Sequence, residues 1–162
     1  RYINDRFLRI EFAIRSAKGL KIPNSSIISK VYFEVPEDYC VNDNGKMTVI
    51  KKIYDEDGGE DIENIDLTSY YQEGDTYYIR DERLRSDDEI LSGGSDTYIL
   101  SESVKKDGVY SVNEGFCRFK PVDVIYQNKE YSIISDTTKD RLSVFDHIVV
   151  DPSELNDNDF ID

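Results

Sequence analysis

The chain has no tryptophan, one histidine, one methionine, two cysteines and two alanines among its 162 residues. Each scarcity excludes something. Cys40 and Cys117 are too few and too far apart for a zinc-site spacing, and they either form one disulfide or stay as two buried thiols. Two Ala and eight Leu, set against eighteen Ile and twelve Val, leave little material for helices. No run free of Asp, Glu, Lys and Arg exceeds the eight residues from Ile22 to Ser29. A spanning helix needs about 20 apolar residues, so nothing in this chain crosses a membrane as one. Basic side chains are scarce as well, 20 against 34 acidic ones, for a formal net charge of −14. Neutralising phosphates takes clustered Lys and Arg, so nucleic acid and anionic membrane surfaces are poor partners.

What the chain does have is Ile, Val, Tyr and Phe. Their β-branched and aromatic side chains lose χ1 freedom in a helix and fit a pleated, half-buried surface. Leu, Ile, Val and Phe make up more than a quarter of the residues, enough apolar surface for a folded core despite the acidity. The composition predicts an all-β protein.

Patterning agrees. Leu8, Ile10, Phe12 and Ile14 alternate with Arg9, Glu11 and Arg15, as in a strand with one buried side. The opening residues thus read as strand rather than leader, and the chain is expected to be a piece of a longer one. Ser16 to Gly19 turns the chain, and Leu20 to Pro23 follows as an edge strand or strand end, because proline cannot donate to a ladder. Val31, Phe33 and Val35 alternate, and Asn42 to Gly45 is a turn leading to a strand from Met47 to Tyr54. From Asp55 to Asp66, seven acidic residues surround Gly58-Gly59, which reads as a solvated acidic loop. Two hairpins follow later, Val109–Val112 with Phe116–Phe119 and Val122–Tyr126 with Tyr131–Ile134. One pattern recurs: Arg83-Leu84-x-x-x-Asp88-x-Ile90 has the same spacing as Arg141-Leu142-x-x-x-Asp146-x-Ile148. It predicts two similar β units with Leu84 and Leu142 buried and Asp88 and Asp146 in turns.

Motifs that carry chemistry are missing. His147 is the one histidine a catalytic triad could use, yet its counterpart in the repeat is Glu89, a polar, solvent-side slot. The acidic loop has Glu60 where a calcium loop starting at Asp55 needs glycine for its sharp turn. No nucleophile elbow, phosphate-binding glycine loop or His-Glu-x-x-His is present. With 34 carboxylates, any chosen acid pair is uninformative, and the twelve tyrosines fall mostly at apolar strand positions. No catalytic, cofactor-binding or metal-binding residue is singled out, and the reading is of a non-enzyme.

Three segments are more than generic β. Gly19-Leu20-Lys21-Ile22-Pro23-Asn24-Ser25-Ser26-Ile27 is similar to the Gly-x-x-Val/Ile-Pro-x-x-Ala/Ser-Ile/Val stretch that closes the β-barrel domain of HlyD-like membrane fusion proteins. Gly108-Val109-Tyr110-Ser111-Val112, with Phe119 and Val122, resembles the strand pair opening that family's membrane-proximal domain. Leu142-x-x-Phe145-Asp146-x-Ile148-Val149 is similar to its Leu-x-x-Gly-Asp-x-Val-Val turn, and Leu84 to Leu91 resembles a second copy. Phe145 and Asp87 stand where the family has glycine. About eighty residues, including the acidic loop, separate Ile27 from Gly108. The layout most resembles HlyD-like proteins of Gram-positive bacteria.

The resemblance implies a small β-barrel or sandwich-like domain over 1–105, with the acidic loop inserted, followed by a membrane-proximal-like β domain over 106–162. It implies a non-catalytic periplasmic adaptor in a transport or efflux assembly. Such a protein lies outside the cytoplasm on an N-terminal membrane helix beyond this chain, partners a membrane permease, and allows a homo-oligomer. From the residues alone, the other reading is a cell-surface β module binding glycan or protein through its tyrosines.

Overall fold

A computed structural model describes residues 18–94, 96–135, 142–153, 155–157 and 159–161. In chain order the strands are β1 (Leu20–Pro23), β2 (Ile28–Pro36), β3 (Cys40–Asp43), β4 (Lys46–Tyr54), β5 (Glu60–Asp66), β6 (Ser69–Glu73) and β7 (Thr76–Arg80). There follow β8 (Glu89–Leu91), β9 (Thr97–Ile99), β10 (Val104–Asn113), β11 (Phe116–Pro121), β12 (Val124–Gln127), β13 (Tyr131–Ile134) and β14 (His147–Ile148). Two short 3-10 turns, Asn24–Ser26 and Glu37–Tyr39, are the only helical elements among the described residues, and no helix there is long and apolar enough to cross a membrane. The fold is all-β, as its composition predicts, with curled, half-barrel sheets.

The architecture turns on β2. Its first half, Ile28–Tyr32, pairs antiparallel with β10, and its second half, Phe33–Pro36, pairs with β7. Successive side chains of a strand point to opposite faces, so one strand can serve two cores. Tyr32 and Ile28 enter a cluster with Tyr78, Tyr110, Cys117 and Phe119. Val35 and Phe33 enter another with Met47, Val49, Ile65, Ile79, Leu84, Ile90 and Leu100. This central sheet runs β11-β10-β2-β7-β6, with β14 added beside β10. A second sheet, β3-β4-β8-β9 with β5 on β4, closes over the cluster around Val49. A third, β1-β13-β12, covers the remaining cluster of Ile22, Val109, Val122, Ile134 and Leu142.

A capped turn accounts for the repeat. In one copy the Asp88 carboxylate accepts from the Arg85 N–H at 2.7 Å, while the Asp88 N–H donates to the Arg85 carbonyl. In the other, the Asp146 carboxylate accepts from the Ser143 N–H at 3.0 Å, and the Asp146 N–H donates to the Ser143 carbonyl. A lysine adds charge assistance to each, Lys51 at 2.6 Å from Asp88 and Lys120 at 2.8 Å from Asp146. Leu84 and Leu142 are both buried. The structure contains a third copy, Leu155-x-x-x-Asp159-x-Ile161, in which the Asp159 carboxylate accepts from the Asn156 N–H at 2.7 Å. Each copy delivers its Leu and Ile to a different cluster: Leu84 and Ile90 to the first, Leu142 and Ile148 to the β1-side cluster, Leu155 and Ile161 to the tyrosine-rich one.

Several expectations are corrected or completed. The acidic segment is not a loop throughout. Only residues 55–59 turn, with Asp55 accepting from the Asp57 and Gly59 N–H groups, and Glu60–Asp66 forms β5 along Thr48–Tyr54 of β4. Lysines on β4 make this tolerable: Lys52 lies 2.6 Å from Glu60, and Lys46 lies 2.8 Å from Asp66. Cross-strand opposite charges favour pairing where like charges would oppose it. Cys40 and Cys117 are free thiols, and burial pushes Cys40 up to about 12. The 105/106 division falls within β10, which pairs with β2, and β1 pairs with β13, so both segments share sheets. The strand expected over Leu8–Ile14 lies outside the described residues.

Leu→Ala at 84, 142 or 155 removes the apolar arm of one turn each. Leu84→Ala is expected to cost about 2–5 kcal/mol in urea unfolding, with half-buried Leu155→Ala at or below the low end. The Lys120 hydrogen bond holds the Asp146 carboxyl below the usual carboxylate range. A depressed folded value stabilises above the unfolded pKa, about 3.9, and that stabilisation is lost as pH falls through the folded value. The stability gap between wild type and Asp146→Asn is therefore constant above about pH 5 and closes below about pH 4.

Candidate functional site

Because β7 pairs only with Phe33–Pro36, the edge of β2 from Ile28 to Tyr32 has no strand on that side among the described residues. Lys30 sits in this notch at 8% exposure, facing inward with Tyr32. A buried ammonium must find a partner or lose its charge. Asp157, from the C-terminal segment, supplies it. Its Oδ2 lies 2.7 Å from Lys30 Nζ and accepts from the Ser69 hydroxyl of β6 as well. Its Oδ1 accepts from the Phe119 N–H of β11 at 3.0 Å. One carboxylate thereby joins three strands of the curled sheet.

Aromatic rings complete the surround. Lys30 Nζ is 4.7 Å from the Tyr110 ring centroid and 5.0 Å from that of Phe119, within the range where a ring face attracts a cation. Burial lowers the Lys30 pKa, and the Asp157 hydrogen bond and charge oppose that fall. Burial also raises the Tyr32 and Tyr110 phenols, which stay neutral. The Tyr110 hydroxyl donates to the Leu155 carbonyl at 2.9 Å, fixing the start of the same C-terminal segment. Farther along, the Cys117 N–H donates to the Asp159 carbonyl and the Ile161 N–H to the Gly115 carbonyl, so this segment lies as a strap along β11.

Two cavities flank the ion pair and share Thr68, Ser69 and Asp157 as walls. One, about 660 Å³, is lined by Lys30, Arg80, Asp81 and Arg83. The other, about 520 Å³, is lined by Tyr32, Tyr70, Tyr71, Arg118 and Phe119. Here the arrangement holds strands together. A lysine acting as nucleophile or base needs a free neutral amine, and Lys30 is committed to Asp157. His147 is exposed on β14 opposite Val112, in the polar slot its sequence counterpart predicts. Among the described residues no group of three or more His, Cys, Asp or Glu side chains stands close enough to hold a metal ion.

Sequence reasoning missed the Lys30–Asp157 pair, whose members lie 127 residues apart in no motif. The spacing Leu-x-x-x-Asp-x-Ile, taken without its arginine, would have found the strap that carries Asp157. Comparison with known proteins finds no matching family model, no matching curated protein and no matching solved structure.

Truncating one partner leaves the other buried and uncompensated, whereas replacing both with apolar groups is close to neutral. Asp157→Ala is expected to lower stability by about 3–5 kcal/mol in chemical denaturation. The double variant Lys30→Met with Asp157→Leu recovers most of that loss; no recovery would show that Asp157 acts through something other than Lys30.

Proposed function

We propose that this chain is a non-catalytic part of an HlyD-like adaptor, working outside the cytoplasm in a membrane transport or export assembly. In this reading an N-terminal membrane helix beyond this chain anchors the intact protein, and a membrane permease is its partner. One observation supports the reading above others. The three separated segments that carry the resemblance meet in a single apolar cluster: Leu20, Ile22 and Ile27 from the first, Val109 and Val122 from the second, Leu142 and Ile148 from the third. Segments shared with one family by chance have no reason to pack on one another. Adaptors work by rigid geometry, and a framework of capped turns and curled sheets around cores from distant segments suits that task.

Glycan binding is the second reading. In its favour stands the 520 Å³ cavity, where Tyr70 shows part of its ring to solvent beside Arg118.

The intact protein, purified from the membranes of its own organism in mild detergent, is expected to bring down a membrane permease in stoichiometric amount. A soluble intact protein that binds a glycan array, and loses that binding on Tyr70→Ala, would replace the adaptor reading with the second one.

A further inference from the structure

The turn at Ser143–Asp146 carries a residue that its shape disfavours. Its third position has positive φ, +81° at Phe145, as does the equivalent Asp87 at +70°. Left-handed backbone crowds the Cβ of an L-residue, and Asp or Asn offsets part of that cost with local hydrogen bonds. Phe145 has no such means. Nor does packing compensate, because its side chain is 93% exposed and the neighbouring Val144 is 61% exposed. Among the described residues nothing accounts for a strained, bulky, apolar side chain held out in solvent.

Its surroundings say what it suits. Pairing of Val112 with His147 puts Phe145 at the end of the sheet where the β10–β11 hairpin turns. At that end Phe116 and Phe160, both exposed, meet edge to face at 5.4 Å. Beside Phe145 is a hollow of about 360 Å³ walled by Arg118, Lys120, Asp146 and His147. Lys120 is matched by Asp146, while Arg118 has no ion-pair partner among the described residues. In a chain of net charge −14, this hollow is locally cationic. That charge disfavours a second copy as occupant, since two such chains repel. One unmatched arginine is also far short of the Lys/Arg cluster that holds a protein on anionic lipid.

We propose that Phe145 is the anchor by which this module docks on its protein partner, inserting into an apolar socket that bears a carboxylate opposite Arg118. The inference rests on the adaptor reading, with the permease as that partner. The test uses the intact protein and the membrane permease it brings down, in detergent. Phe145→Gly is expected to raise Tm by about 2–4 °C, since glycine relieves the left-handed strain. The same variant weakens the complex at least about tenfold, as loss of a central aromatic anchor does, and Arg118→Gln weakens it by a smaller factor.

Unchanged affinity in Phe145→Gly, with the wild-type complex intact, overturns this proposal and leaves the adaptor reading standing. No wild-type complex removes the adaptor reading and this proposal with it. A lower Tm in Phe145→Gly shows that the residue serves the fold and overturns the anchor role. Two further arms do the same. One is binding to phosphatidylcholine–phosphatidylglycerol vesicles that Phe145→Gly abolishes, which would make lipid the occupant. The other is an oligomer that Phe145→Gly turns to monomer in sedimentation, which would make it a second copy.

Discussion

An aspartate accepting the backbone N–H three residues before it is the interaction on which this structure depends. It occurs at Asp88, Asp146 and Asp159. Each time it closes a turn with a leucine ahead of it and an isoleucine behind, both directed into one core. Short strands bury too little apolar area to hold their own register, so a β-rich chain with few long strands needs local clamps. A carboxylate bonded to backbone amides is a strong clamp, because the charge strengthens each hydrogen bond. The acidity that excluded so many partners thus has, at these positions, a structural use.

The three clusters would be separable if the turns were all that held them. Two devices tie them together. One is β2, whose two halves pair with different strands and whose side chains enter two clusters. The other is the Lys30–Asp157 pair, which fastens the strap carrying the third turn to β2, β6 and β11 at once. Burying an ion pair adds little net stability, but a buried ammonium accepts few alternatives to its carboxylate, so the pair specifies where the strap goes. Among the described residues of these turns, Phe145 gives up backbone comfort with no return from packing or a local hydrogen bond.

Local signals were legible in the sequence, and long-range ones were not. The hairpins at Asn113–Gly115 and at Gln127–Lys129 announce themselves through turn residues between alternating apolar runs. The equivalence of Leu84 with Leu142, and of Asp88 with Asp146, follows from spacing alone. By contrast β5 read as loop because four of its seven residues are acidic and its two isoleucines, Ile62 and Ile65, do not alternate, and the lysines on β4 that make it a strand belong to another segment. The third turn was hidden because Asn156–Asp159 consists entirely of Asn and Asp and its leucine lacks the preceding arginine of the other two copies. Lys30 looked like any surface lysine. Only the halting of β7 at Arg80 makes its neighbourhood a buried notch, and that depends on how three strands end.

Each capped turn serves its own core. Native-state hydrogen exchange on Asp88→Ala, Asp146→Ala and Asp159→Ala tests it most directly. Protection is predicted to fall first around Val49 and Ile79 in the first variant, around Val109 and Ile134 in the second, and around Tyr110 and Cys117 in the third. Three variants that lose protection in the same places, or in none, would contradict it.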